Sequence, residues 1–177
     1  MQLQEFFEHY RYRFHQYLQH FLTNRKKDSH ELFKAIEYTL LGGGKRLRPL
    51  LAYATGHSFN ANPDDLDQIA AALECIHIYS LIHDDLPALD NDDLRHGQAS
   101  CHKKFGEAIA IICGDSMQSL AFELLSKPLA SVDSKIQLDM IQRLSLAIGD
   151  LGMAGGQTLD ILAEKKKTGR GESRRAC

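Results

Sequence analysis

Apolar positions recur at spacings of three and four along most of the chain, and no run alternates in the manner of a strand. Residues 3–22 place Leu3, Phe6, Phe7, Tyr10, Phe14, Tyr17, Leu18 and Phe21 in this period, which predicts an amphipathic helix. A second helix is predicted through Phe33, Ile36, Tyr38, Leu40 and Leu41, with Ser29 as N-cap and Gly42-Gly43-Gly44 as its end. Pro49 suits the opening turn of a third helix running to about Gly56. Asn62-Pro63-Asp64-Asp65 starts a fourth, which passes through Ala70, Leu73, Ile76 and Ile82 into an aspartate-rich stretch. Phe105 to about Ser126 reads as a very apolar helix and Val132 to Ile148 as another. A further helix, interrupted or closely packed at Gly152, Gly155 and Gly156, continues to Ala163. The class predicted is all-α, a helix bundle, with no internal repeat. From residue 164 to Cys177 the chain is basic and polar with no apolar period, and reads as a disordered tail behind a domain of residues 1–163.

Composition narrows the classes. The 177 residues are 44% hydrophobic, enough for one domain with a core. A formal net charge of -2 provides no global basic field to attract nucleic acid. Cys75, Cys101, Cys113 and Cys177 contain no C-x-x-C pair and do not suggest a disulfide framework, so a reducing cytoplasm is the simplest compartment. The N-terminal Met1-Gln2-Leu3-Gln4-Glu5 lacks the basic and apolar regions of a signal peptide. No stretch approaches ~18 consecutive apolar residues, so no transmembrane span is expected.

Candidate chemistry lies in four places. Gly42-Gly43-Gly44-Lys45-Arg46-Leu47-Arg48-Pro49 sets three cations beside glycines just ahead of a helix start, which suits a phosphate or diphosphate. The spacing is not that of a P-loop, and the competing reading is a glycine C-cap followed by solvated charge. Asp84, Asp85, Asp90, Asp92 and Asp93 repel one another within ten residues, and a hard cation such as Mg2+ is a natural compensation. Asp84 and Asp90 would not share a face of a regular helix, but an excursion around Leu86-Pro87 would return Asp90 beside Asp84. The competing reading is an acidic cap or loop. Arg95-His96-Gly97 follows directly and offers a cation to a diphosphate. Glu74 and His77 form an E-x-x-H half-motif of the kind found in di-iron bundles, although no clear second copy accompanies it.

In this order the pieces resemble the polyprenyl diphosphate synthase family. Gly43-Gly44-Lys45-Arg46-Leu47-Arg48-Pro49 is similar to its first block, and Tyr79-Ser80-Leu81-Ile82-His83-Asp84-Asp85-Leu86-Pro87-Ala88-Leu89-Asp90 to its second. Phe105-Gly106-Glu107-Ala108, Gly114-Asp115 and Gly155-Gly156-Gln157-Thr158-Leu159-Asp160 follow in register, so the similarity runs from about residue 32 to 163. Within the family it points to the bacterial farnesyl diphosphate synthases. The resemblance implies an isoprenoid-synthase helix bundle, usually a homodimer, that condenses isopentenyl diphosphate with dimethylallyl or geranyl diphosphate. It implies that Lys45, Arg48 and His77 bind isopentenyl diphosphate, that Asp84 and Asp90 with Asp85 in support hold Mg2+, and that Arg95 clamps the allylic diphosphate. Gln157 and Asp160 would line the far wall, and Tyr79 with Ser80 would set a fifteen-carbon product. Ile76, Ile78 and Leu81 suit a pocket that excludes water.

Two departures stand out. His96 occupies the position of a second family arginine, giving fewer donors toward isopentenyl diphosphate. The second D-D-x-x-D cluster that the resemblance implies is not among the 177 residues, and the chain reads as a C-terminally truncated member. The expectation is therefore a farnesyl diphosphate synthase by descent, against the alternative of a non-catalytic subunit that keeps one diphosphate and Mg2+ half-site.

Overall fold

The computed structural model describes residues 2–25 and 30–172, with side chains to residue 164. The chain divides into two compact units, Met1–Val132 and Asp133–Cys177, where the sequence suggests one domain with a tail. The first unit holds α1 (Leu3–Arg25), α2 (Glu31–Leu41), α3 (Leu47–Ser58), α4 (Pro63–Asp84), a hairpin of β1 (Leu94–Arg95) and β2 (Gln98–Ala99), α5 (Cys101–Phe105) and α6 (Glu107–Ser126). The second holds α7 (Ser134–Ile148) and α8 (Met153–Glu172), which pack on each other.

Helix ends follow local chemistry. Asn62 caps α4 through its side chain, with Pro63 in the first turn. The Asp133 carboxylate caps α7 by accepting from the Lys135 amide at 2.8 Å. Ser29, the expected cap of α2, lies outside the described residues; His30 Nδ1 accepts from the Phe33 amide at 3.2 Å instead. The chain breaks at Gly106, φ 86, so the predicted helix from Phe105 becomes α5 followed by α6. The expected tail from 164 starts inside α8, whose Glu- and Lys-rich backbone stays helical to Glu172; residues 173–177 lie outside the description.

The core of the first unit is built around α4. On α1 the buried residues are Tyr10, Phe14, Leu18 and Leu22, a stripe of strict four-residue spacing. α4 is buried on several faces because α1, α2, α3 and α6 all pack against it. Both helices of the α4–α6 contact carry small, fully buried side chains, Ala71, Ala72 and Cys75 on α4 and Ala110, Cys113 and Ala121 on α6. At Gly114 of α6 even a methyl group would fall 2.1 Å from the His83 ring. By length and composition α6 is apolar enough to cross a membrane, yet it lies in this packing against α2, α4 and α5.

Polar ties hold the layers in register. The Asp67 carboxylate, on α4, accepts from Arg13 Nε at 2.8 Å and Nη2 at 2.7 Å and from the Tyr53 hydroxyl at 2.6 Å, joining α1 and α3 to α4. Asp65 accepts from the amides of Ala130 and Ser131 at 2.7 and 2.9 Å, anchoring the chain beyond α6. Asp67→Ala strips two partners at once and leaves the Tyr53 hydroxyl buried and unpaired. It is expected to lower stability by about 3 kcal/mol, against about 1 kcal/mol for Tyr53→Phe. Urea unfolding followed by circular dichroism measures both, and equal losses would mean that Asp67 is not the tie between these helices.

Candidate functional site

The connection between α2 and α3 is shaped by backbone and charge together. Gly43 and Gly44 have φ of 92° and 100°, and a side chain on Gly44 would also press the His96 ring at 3.1 Å. Arg46 follows at φ 53°. Its Nη1 donates to Glu74 Oε1 at 2.6 Å and its Nη2 to the Leu40 carbonyl at 2.7 Å. Lys45 and Arg48 on either side stay exposed. They border a cavity of about 530 Å³ whose wall also contains His77, Asp85, Arg95 and His96, so six sequence-predicted positions meet at one space. Its apolar lining comes from Ile78, Leu81 and Ile82 of α4; Ile76, expected beside them, belongs to the core instead. Burial first, and then the Arg48 cation, lowers the pKa of His77 below the ordinary histidine value, so its imidazole is neutral at pH 7.

The aspartate-rich segment folds as a compact turn. Pro87 offers no amide to continue α4, and the chain doubles back until the Asp90 amide donates to the Asp84 carbonyl at 2.8 Å. The return of Asp90 to Asp84 is thus the excursion that the Leu86-Pro87 step predicts. The five carboxylates then separate into two groups. Asp85, buried, is gripped by Arg95 through Nε and Nη2, and Arg95 Nη2 also reaches Asp92 at 3.2 Å. Asp93 pairs with Lys103 at 2.7 Å, which lowers its pKa. Neither Asp84 nor Asp90 hydrogen-bonds through its carboxylate to a described residue. The Asp84 pKa is raised by burial and then by the charges of Asp90 and Asp85.

This donor set bears directly on a metal. Among the described residues no group of three or more His, Cys, Asp or Glu side chains converges on a point. Asp85, expected beside the metal, is occupied by Arg95. Two adjacent carboxylates that repel each other and hydrogen-bond to no cation among the described residues fit Mg2+, which takes one or two carboxylates and fills its octahedron with water and phosphate oxygens. An E-x-x-H di-iron arrangement finds no such fit, because Glu74 is bound to Arg46.

The remaining expected residues lie elsewhere. Ser80 donates to the His77 carbonyl at 2.8 Å. Tyr79 packs edge-on against His83, with ring centroids 5.2 Å apart, on a face of α4 turned from the cavity. The His83 ring in turn meets the Ile111 carbonyl at 3.1 Å. Gln157, half-buried, and Asp160, exposed, belong to α8 of the second unit. Sequence reasoning missed two elements. The hairpin pairs Leu94 with Ala99 and Arg95 with Gln98 around His96 and Gly97, both at positive φ, the pattern of a two-residue turn. Its strands are too short to show alternation, and the sequence signal was the dipeptide His96-Gly97. The second is the inward Arg46, which by type looked like a third ligand cation.

Known proteins show the same organisation. Residues 29–174 match the family model described as Polyprenyl synthetase. The chain is 55% identical over 134 residues to the farnesyl diphosphate synthase of Escherichia coli K12, covering 75% of this chain and 45% of that protein. It is 46% identical over 161 residues to the farnesyl diphosphate synthase of Buchnera aphidicola subsp. Acyrthosiphon pisum, covering 90% and 57% respectively. The crystal structure of a geranyltransferase from Legionella pneumophila superposes with a TM-score of 0.84 at 45% identity, over 89% of this chain and 55% of that one. The chain therefore spans about half the length of the curated relatives it matches.

The lowered His77 pKa sets a pH dependence. The folded state resists the proton, so the unfolded chain binds it at higher pH. The stability involved is fully present above the ordinary value of 6.5 and is lost as pH falls through the lower folded value. Urea unfolding between pH 5 and pH 8 is expected to show a steeper acid loss for the unsubstituted chain than for His77→Gln, and parallel curves would refute it.

Proposed function

The chain belongs to the polyprenyl synthetase family, and on that premise we propose that it serves the Mg2+-dependent condensation of isopentenyl diphosphate with dimethylallyl or geranyl diphosphate to farnesyl diphosphate. The observation that carries this reading is the single cavity that gathers Lys45, Arg48, His77, Arg95 and His96 over an apolar floor beside the aspartate turn. Lys45 and Arg48 hold the isopentenyl diphosphate, and neutral His77 adds a hydrogen bond without adding charge. Arg95, its guanidinium oriented by Asp85, clamps the allylic diphosphate. Asp84 and Asp90 would hold the metal, with Asp85 acting through Arg95. When bound, Mg2+ neutralises charge on the departing diphosphate and so favours ionisation to an allylic cation. Ile78, Leu81 and Ile82 keep water from the carbon centre where that cation meets the isopentenyl double bond, and the proton lost from the resulting carbocation passes to the released diphosphate. Tyr79 and Ser80, which do not line this cavity, are assigned to product length on the family resemblance alone. Position 96 lowers isopentenyl diphosphate affinity relative to an arginine.

The protein is taken to act in the cytoplasm as a homodimer on these small diphosphates, without nucleic acid and without a membrane span. Exposed Ile111 and Ile112 on α6 support self-association. A second reading rests on the aspartate turn, where among the described residues no three acidic or histidine side chains converge: a subunit that binds a magnesium diphosphate without turning it over.

An assay with radiolabelled isopentenyl diphosphate, geranyl diphosphate and Mg2+ separates the two. Farnesyl diphosphate is the expected product under the first reading, and Asp84→Asn with Asp90→Asn abolishes it. Calorimetric Mg2+-dependent diphosphate binding with no product supports the second. Binding that survives both substitutions would move the metal away from the aspartate turn. Sedimentation is expected to show a dimer or larger species, and a monodisperse monomer would remove the interface.

A further inference from the structure

The cavity wall contains a buried ion pair that neither the proposed chemistry nor the family match assigns. Arg46 stands at φ 53° and ψ 37°, a left-handed conformation that L side chains adopt at a cost. Its guanidinium is directed inward. Side-chain exposure is 8% for Arg46 and 4% for Glu74, so the pair is largely shielded from water within the cavity wall. Three tie points converge on this one residue. The Leu40 carbonyl belongs to the last turn of α2, whose acceptors the helix leaves unpaired. Glu74 lies midway along α4. The carbonyl of Arg46 accepts from the Leu50 amide at 3.1 Å and so begins α3. Between the first and last of these the chain is mostly glycine, with little of its own to hold a shape.

Stability is a weak reason for such a pair, since desolvating two charges offsets much of their attraction. Nor does the pair merely satisfy itself, because Glu74 Oε2 remains buried and unpartnered among the described residues. Its effect on the neighbours is clearer. Three cations within four residues repel one another, and Glu74 neutralises the middle one and holds it down in the cavity wall, while Lys45 and Arg48 stay exposed at the same cavity.

We infer that Arg46 is a positioning residue, with Glu74 as its buried counter-charge: together they fix the Gly43–Arg48 segment so that Lys45 and Arg48 converge on one diphosphate, which Arg46 itself does not touch. The anion in this inference rests on the diphosphate reading given above; the fixing of the segment does not.

Two measurements on the full chain separate these layers. Hydrogen exchange of the amides over residues 42–51, without ligand, reports the positioning. Calorimetry with inorganic diphosphate reports its consequence. Glu74→Ala is expected to speed exchange in that segment and to weaken diphosphate binding, each by about tenfold, the scale of one charge-assisted hydrogen bond. Glu74→Gln, whose amide oxygen still accepts from Arg46, is expected to restore both to near the original values. If Glu74→Ala folds poorly, the double variant Arg46→Met with Glu74→Met keeps the volume without burying a lone charge. It is expected to hold Tm while showing the same loss of protection and affinity. Unchanged exchange in these variants, unchanged affinity despite faster exchange, or Glu74→Gln behaving like Glu74→Ala would each overturn the positioning role. Lys45→Ala with Arg48→Ala is expected to abolish diphosphate binding with exchange unchanged. If that variant still binds, the diphosphate reading fails, while the exchange result continues to decide for Arg46.

Discussion

The close approach of α4 to α6 is the constraint from which the rest of the first unit follows. Alanine and cysteine on both helices, with glycine on α6, let the backbones come together, and a side chain at Gly114 would press on the His83 ring. Once α4 is enclosed in this way, each polar group along it must find a partner inside the protein. Asp67 takes Arg13 and Tyr53, and Glu74 takes Arg46. The structural ties and the functional residues therefore alternate along one helix: an anchor near its start, the cavity wall at its middle, the aspartate turn at its end. Loosening the α4–α6 contact would disturb all three together.

Charge pairing, rather than proximity alone, then sorts the aspartates. Five carboxylates within ten residues look equivalent in the sequence. In the fold, Arg95 takes Asp85 and Asp92 and Lys103 takes Asp93, which leaves Asp84 and Asp90 to face each other. The same sorting acts on the cations, where Glu74 removes Arg46 and leaves Lys45 and Arg48. Unpaired carboxylates and exposed cations thus stand close together without cancelling, because the other charges of each group are neutralised by partners from elsewhere in the chain.

What was legible in the sequence is what depends on neighbours a few residues away. The span of α4 follows from the Asn62-Pro63 start and the Pro87 stop. The return of Asp90 to Asp84 follows from the proline and the six-residue spacing. Tyr10, Phe14 and Leu18 of the buried stripe follow from the period of three and four, while Leu22 takes the buried place where the period named Phe21. Arg46 and Glu74 are 28 residues apart, and nothing local distinguishes an inward arginine from its outward neighbours. Asp85 and Arg95 are joined only because a hairpin of two-residue strands, below the length at which a pattern can show, swings Arg95 back over α4. The division of the chain before α7 is likewise a matter of contacts, with no change of composition at residue 132 to mark it.

The placement of the aspartate turn at the end of α4 adds a last electrostatic argument. A helix C-terminus carries partial negative charge from its unpaired carbonyls, so carboxylates there are unfavourable before any interaction between them is considered. Asp84 meets that field, partial burial and the charges of its carboxylate neighbours at once; burial first, and then Asp90 and Asp85, raise its pKa. Asn or Ser at this position would relieve all three terms and still permit the turn, since it is closed by backbone groups. The local arrangement is therefore poorer for the protein alone than a neutral one would be. Under the proposed function a divalent cation would answer all three at once, and the spacing of the aspartates by itself does not reveal that the turn carries this electrostatic cost.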